Sequence, residues 1–214
     1  MTVVAKKQGR RTRAQMLDRT RAQLLSAARA HFTEHGYAAT SMDDLTSSVG
    51  LTRGALYHHF GGKDGLLDAV VRDLDAELCV ELKAILRDHV DPLVALNERS
   101  RAYIEKTQTV EFQRIMFTDA PSVIPGAVEE TSAACIATLA EVVEDGRQQG
   151  IVAEAVSPVV IATMLNGALA DASRWVAAAA DGGRDTRRGL AIESASALIE
   201  GLRLRPPVAE QAQR

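Results

Sequence analysis

Apolar residues recur at intervals of three and four along most of the chain, the spacing that paints one side of an α-helix. Over 13–34 the stripe is Leu17, Leu24, Ala28 and Phe32, and Gly36 stops it. A shorter stripe, Met42, Leu45 and Val49, predicts a helix over 42–49. Thr40 or Ser41 would cap it by accepting from the unpaired N–H groups of the first turn. Gly50 then predicts a left-handed stop, which glycine adopts without a Cβ clash. Leu51 fills the corner, Thr52 caps a second short helix over 53–59, and Leu56 and Phe60 point inward from it. From Lys63 a long helix repeats Leu67, Val71, Leu74, Leu78, Leu82 and Ile85. Asp91 followed by Pro92 opens a fifth helix, to 106. A shorter helix is predicted over 111–118, and DAPSVIPG at 119–126 reads as a proline-rich connection. The remaining helices run to Gln149 before Gly150, from a Ser157-Pro158 start to Ala180, and from an Asp185 cap to about 204. Pro206-Pro207 and a polar tail, 206–214, are expected to be disordered.

The fold class expected is therefore all-α. Two short helices joined by a tight glycine turn at 42–59 have the layout of a helix–turn–helix, whose second helix enters the DNA major groove. With Leu56 and Phe60 inward, Arg53, Gly54, Ala55, Tyr57 and His58 are left for other faces. The charge distribution points the same way. Residues 1–60 hold nine Lys and Arg against four acids, a balance of +5. The whole chain is −3, so 61–214 carry −8. A basic head on an acidic body draws a polyanion to one end; the plainer reading is a solubilising basic tail.

The 214 residues allow one sizeable domain or two small ones. Hydrophobic residues make up 46% and aromatics only 4%, which suits closely packed helices. No apolar run approaches the ~18 residues of a membrane span, and MTVVAKKQGRRTRAQ has no hydrophobic signal core, so a cytoplasmic protein is expected. Cys79 and Cys135 stand alone in helical patterns and read as small buried apolar residues in a reducing compartment, a redox-sensing thiol being the rarer alternative.

The stretch 20–78 resembles the DNA-binding domain of the tetracycline-repressor (TetR) family of bacterial transcriptional regulators. The resemblance rests on LLSAARAHFTEHGYAATSMDDLTSSVG followed by LTRGALYHHFGGKDGLL, with Ala28, Phe32, Gly36, Tyr37, Thr40, Gly50, Gly54, Leu56, Tyr57, His59, Phe60, Lys63 and Leu66 at the matching places. Thr46 departs from the family's usual alanine, and its hydroxyl is expected to bond back into its own turn. The resemblance implies a basic arm (1–14), a three-helix DNA-binding domain (15–64, with a linking helix to about 88) and a helical-bundle regulatory and dimerisation domain (65–205). It also implies a sequence-specific regulator, a repressor more often than an activator, that leaves its operator when a small-molecule ligand binds. No cofactor, metal, membrane partner or enzymatic activity is expected.

Phosphate contacts would fall to Thr40 or Ser41, Thr52, Tyr57, His59 and Lys63, the last at the opening of a helix whose positive end attracts phosphate. Arg53 suits a paired contact to guanine, and His58 is a second reader. Gly54 and Ala55 would let the helix backbone lie against the groove. Arg10, Arg11 and Arg13 would either enter an adjacent minor groove or add only diffuse charge. Tyr57 and His59 have an alternative as half-buried supports of the two-helix unit.

The last two long helices read as a homodimer interface: VVIATMLNGALA at 159–170 is apolar almost all round, and Ala162, Gly167, Ala168, Ala191, Ala195 and Gly201 permit close approach. A two-fold dimer calls for an inverted-repeat operator on double-stranded DNA. Candidates for an effector pocket are Tyr103, Phe112, Met116, Phe117, Met164, Asn166, Asp171 and Trp175, with ordinary core as the competing role for the aromatic and Met side chains. Asn166 needs a polar partner, either a ligand or its counterpart across the dimer.

Enzymatic readings fare poorly. GGKDG at 61–65 has Tyr57 where a phosphate-binding loop needs glycine and Asp64 where it needs Ser or Thr. No G-x-S-x-G occurs. Adjacent His58 and His59 point about 100° apart on a helix, and His31 and His35 lack the Glu of a zinc-protease pattern. The remaining alternative is an all-helical ligand-binding or scaffold protein whose basic head meets RNA or a protein.

Overall fold

The computed structural model describes residues 13–87, 89–180 and 182–204. Arg10, Arg11 and the rest of the expected arm up to residue 12 lie outside the described residues, as do Pro206-Pro207 and the tail. Arg13 and Ala14 instead open a helix. The chain divides into two compact units, 1–70 and 71–214.

In the first unit, α1 (Arg13–Ala39), α2 (Met42–Ser48) and α3 (Arg53–Phe60) pack against one another. Leu24, Ala28 and Phe32 of α1, Leu45 of α2 and Leu56 of α3 are fully or almost fully buried. Leu17 is not part of that stripe: it is 40% exposed. Gly36 does not end α1 but kinks it, at φ 79° and ψ 165°, and one further turn follows. Gly50 takes φ 66° as expected, and Leu51 N–H closes the corner by donating to the Thr46 carbonyl at 2.9 Å. Thr46 itself is buried, its hydroxyl donating back to the Met42 carbonyl at 2.9 Å.

The helix α4 (Lys63–Arg87) begins in the first unit and continues into the second. There it is joined by α5 (Pro92–Lys106), a π-helical stretch Phe112–Asp119, α6 (Ala120–Val123), α7 (Pro125–Gln148), α8 (Pro158–Ala177) and α9 (Arg184–Glu200). Packing pairs α7 with α8, α5 with α9 and α8 with α9. Their shared core holds Leu93, Leu96, Ile104, Leu139, Val143, Leu165, Leu169, Val176 and Ile199. The bridge between Val152 and Arg203 pins the end of α9 to the α7–α8 connection.

Further expectations need correction. DAPSVIPG is not an open connection: Pro121 and Pro125 each fall in the first turn of a helix, where the missing N–H breaks no bond. Residues 112–119 wind with the wider i→i+5 pattern rather than as an α-helix. Ser157 does stand at the cap position of α8 with Pro158 opening the helix, though without a side-chain cap bond, whereas Gly183, not Asp185, precedes α9. Asp91 does cap α5, accepting from Leu93 N–H at 2.8 Å. No described helix is long and apolar enough to cross a membrane.

Candidate nucleic-acid interface and cavity

The corner between α2 and α3 sets the direction of an exposed polar surface. Ser41 is the cap of α2, accepting from Asp44 N–H at 3.3 Å. Thr40 is not: it is only 4% exposed, and its hydroxyl donates to the Gly36 carbonyl at 2.7 Å, bracing the α1 kink. A buried, already bonded hydroxyl has nothing to offer a phosphate, so Thr40 leaves the set of contact candidates. Thr52 caps α3, accepting from Ala55 N–H at 3.2 Å, and stays exposed.

Beyond Thr52, Arg53, Gly54, Tyr57 and His58 are exposed, while Ala55 and His59 are half-buried. Leu56, between them, is buried and anchors the helix. Tyr57 is 51% exposed, so its ring is available on the surface. His58 and His59 rings meet edge to face at 5.3 Å. Arg53 forms an ion pair with Asp43 of α2 at 3.2 Å, both side chains being more than half exposed. Its hydrogen-bonded neighbour Tyr57, and then the Asp43 charge, hold the guanidinium pKa above its ordinary value. A Cβ added at Gly54 would meet nothing nearer than the Thr52 hydroxyl, at 3.7 Å. Packing within the protein therefore does not demand glycine there.

Lys63 opens α4. Its ammonium lies 4.4 Å from the centre of the Tyr37 ring and donates to the Ala38 carbonyl at 3.3 Å. Tyr37 in turn donates to Asp64, and burial first, then that carboxylate, pushes its pKa up to about 12. Tyr37 thus stays a neutral ring under the cation, and Lys63 is held at the helix start. Gly65 allows the α3–α4 corner: a Cβ there would stand 1.9 Å from the Phe60 carbonyl oxygen.

The second unit holds a cavity of about 250 Å³. Tyr103, Phe112, Met116, Phe117 and Asn166 all line it. Winding at i→i+5 is what sets Phe112, Met116 and Phe117 on one side together. Met164, Asp171 and Trp175 do not reach it. They lie on the outward side of α8, lining two apolar grooves with residues of α9 such as Leu190 and Leu198. Met164 is 65% exposed, and Trp175 carries the Arg187 guanidinium 4.8 Å above its ring. Asp171 pairs with Arg174.

Besides Tyr103 and Asn166, the polar lining that sequence reasoning missed is Asp75 of α4, Thr131, Ser132 and Cys135 of α7, and Arg174 of α8. The signal was present on α7, where Val128, Thr131, Ser132 and Cys135 follow helical spacing with small, weakly polar side chains.

The chain is similar to two described families. Residues 24–70 match the bacterial regulatory proteins of the tetR family, and residues 93–202 match the tetracyclin repressor-like C-terminal domain. A TetR-family transcriptional regulator from Pectobacterium atrosepticum is similar in structure, with TM-score 0.79 and 42% identity over 92% of this chain and 100% of that one. The HTH-type transcriptional repressor KstR2 of Rhodococcus jostii is 30% identical over 84 residues, 39% of this chain and only 37% of that protein's length. The probable acrEF/envCD operon repressor of Escherichia coli K12 is 27% identical over 154 residues, 65% of this chain and 67% of that protein.

Proposed function

The chain belongs to the TetR family of bacterial regulatory proteins, and from that premise we propose that it is a sequence-specific DNA-binding repressor, released from its operator by a small molecule. The observation that carries this is the α3 surface: a capped, anchored helix that exposes Arg53, Gly54, Tyr57 and His58 together. Arg53 reads guanine through its paired donors and His58 reads a neighbouring base. Ser41, Thr52, Tyr57, His59 and Lys63 hold phosphates and set the register. Gly54 and the Ala55 methyl let the helix backbone approach the groove. The comparisons favour this reading over a scaffold whose basic head meets RNA or protein.

Two copies act together. The outward side of α8 and α9 exposes Val159, Val160, Met164, Trp175, Leu190 and Leu198, a lining that water covers poorly and a second copy covers well. A two-fold pair calls for an inverted-repeat site. The effector occupies the cavity among Tyr103, Phe112, Met116, Phe117 and Asn166. It acts through α4, whose residues contribute to the cavity and whose first turn carries Lys63, by favouring one arrangement of the dimer over another. Selecting bound duplexes from a random pool tests the proposal. Recovery of a palindrome supports it, and duplexes held without preference for sequence refute it.

A further inference from the structure

We propose that Cys79 and Cys135 form a peroxide-sensitive dithiol site, in which a hydroperoxide reaching the cavity converts the pair into an intramolecular disulfide joining α4 to α7. The site goes beyond the DNA-binding reading and does not depend on it. Both cysteines are free thiols, and their Sγ atoms are 3.9 Å apart although 56 residues separate them. Reaching the ~2.0 Å of a disulfide takes a shift of about 2 Å shared between two side chains. Cys135 lines the cavity, so a small reactant has a path to its sulfur.

Arg99 of α5 supplies the third observation. Its side chain is buried, with only 2% of the residue exposed, and its Nε finds no hydrogen-bond acceptor. A buried guanidinium beside two thiols favours the ionised form of one of them. Cys135 is that one: the hydrogen bond from Cys79 first, and the Arg99 charge after it, lower its pKa to about 7 despite burial. Cys79 is pushed the other way, by its bond to Cys135 and then by burial. Arg99 itself is held below its ordinary value by burial. Asp75 lies close enough to complete a three-ligand metal set with the two sulfurs. Two features oppose a cation there: the neighbouring guanidinium, and burial that holds the Asp75 carboxyl toward its protonated form.

The chemistry balances with one hydroperoxide. The Cys135 thiolate attacks a peroxide oxygen, the O–O bond breaks, and the departing hydroxide or alkoxide takes the proton Cys135 had released. Cys135 is then a sulfenic acid. Cys79 attacks that sulfur as it loses its proton, the S–S bond forms, and the sulfenic oxygen leaves with the proton as water. The peroxide is reduced by two electrons and the two thiols are oxidised by two.

The test uses the full chain, reduced and freed of metals by chelation, and treated with hydrogen peroxide in small molar excess. Both thiols should disappear together, the mass should fall by a pair of hydrogens, and peptide mapping should find residues 79 and 135 linked within one chain. Dithiothreitol should restore both thiols. In Cys79→Ser, Cys135 should accumulate as a sulfenic acid that dimedone traps. In Cys135→Ser, loss of the Cys79 thiol should be at least about ten-fold slower than in the unaltered chain. Persistence of both thiols while free glutathione in the same tube is consumed overturns the proposal, as does a disulfide found only between chains. The unaltered chain gives these readouts by itself, so a variant that fails to fold leaves the proposal open to refutation.

Discussion

Gly65→Ala is the sharpest test of how the DNA-binding unit is held together. The added methyl would stand 1.9 Å from the Phe60 carbonyl oxygen and 3.1 Å from its carbon. A tolerable carbon–oxygen contact begins near ~3.3 Å, so the start of α4 and the end of α3 must part by roughly 1.4 Å. Both partners are backbone, and no rotamer change relieves the clash. Overpacking of this kind costs about 1–3 kcal/mol, while alanine recovers about 1 kcal/mol of helix propensity over glycine. The net expectation is a loss of up to about 2 kcal/mol, which corresponds to amide exchange in α2 and α3 up to about 30 times faster. Hydrogen exchange suits the case because the chain has two units, and a single melting temperature would blend them. Gly54→Ala is the reference: its methyl meets nothing closer than 3.7 Å, so exchange should be unchanged or slower. If Gly65→Ala exchanged no faster than Gly54→Ala, the steric account of the α3–α4 corner would be wrong.

Other outcomes follow from the same surfaces. Arg53→Ala should weaken binding to the selected operator by about 1–3 kcal/mol and relax preference at one position per half-site, read by competition among single-base variants. Lys63→Ala should instead weaken all duplexes alike and flatten the dependence of affinity on salt; identical behaviour of the two variants would end the division between reading and positioning. Asp43→Asn removes the partner that Arg53 holds at 3.2 Å and a negative charge beside the proposed reading helix, so titration should show tighter binding at low salt. Leu56→Ala, at a fully buried position, should cost about 2–5 kcal/mol and abolish binding with the outer face intact in sequence. Met164→Asp with Leu198→Asp alters only exposed positions, so ultracentrifugation should find folded monomers.

Local signals made the helix–turn–helix legible. Gly50 needs only its own backbone to turn a corner, and Thr52 caps within three residues. Thr40 and Ser41 have the same capping chemistry, and only the Gly36 kink, which buries the first and leaves the second outside, tells them apart. The helical nature of 119–126 was hidden because a proline ends one helix as readily as it begins the next. The π winding of 112–119 leaves no mark in hydrophobic spacing. In the cavity, Asn166 and Met164 share α8, yet residues two apart on a helix face nearly opposite ways. Periodicity groups residues by side without saying which side is inward. Thr131 and Ser132 share a helical face with Val128 and Cys135, but that spacing does not say whether core or cavity covers the face; the significance of Arg99, and the meeting of Cys79 with Cys135, come from partners distant along the chain.

The bare outer flank of α8 and α9 bears on how such a switch behaves when copies are scarce. With that flank as the pairing surface, occupancy of the operator grows with the square of protomer concentration as long as most chains are single. Halving synthesis would then quarter the occupancy of a mostly empty site rather than halve it. An inverted-repeat site that favoured the paired form would be a place where partners meet, with a threshold set by how well two flanks of valine, leucine, methionine and tryptophan fit each other.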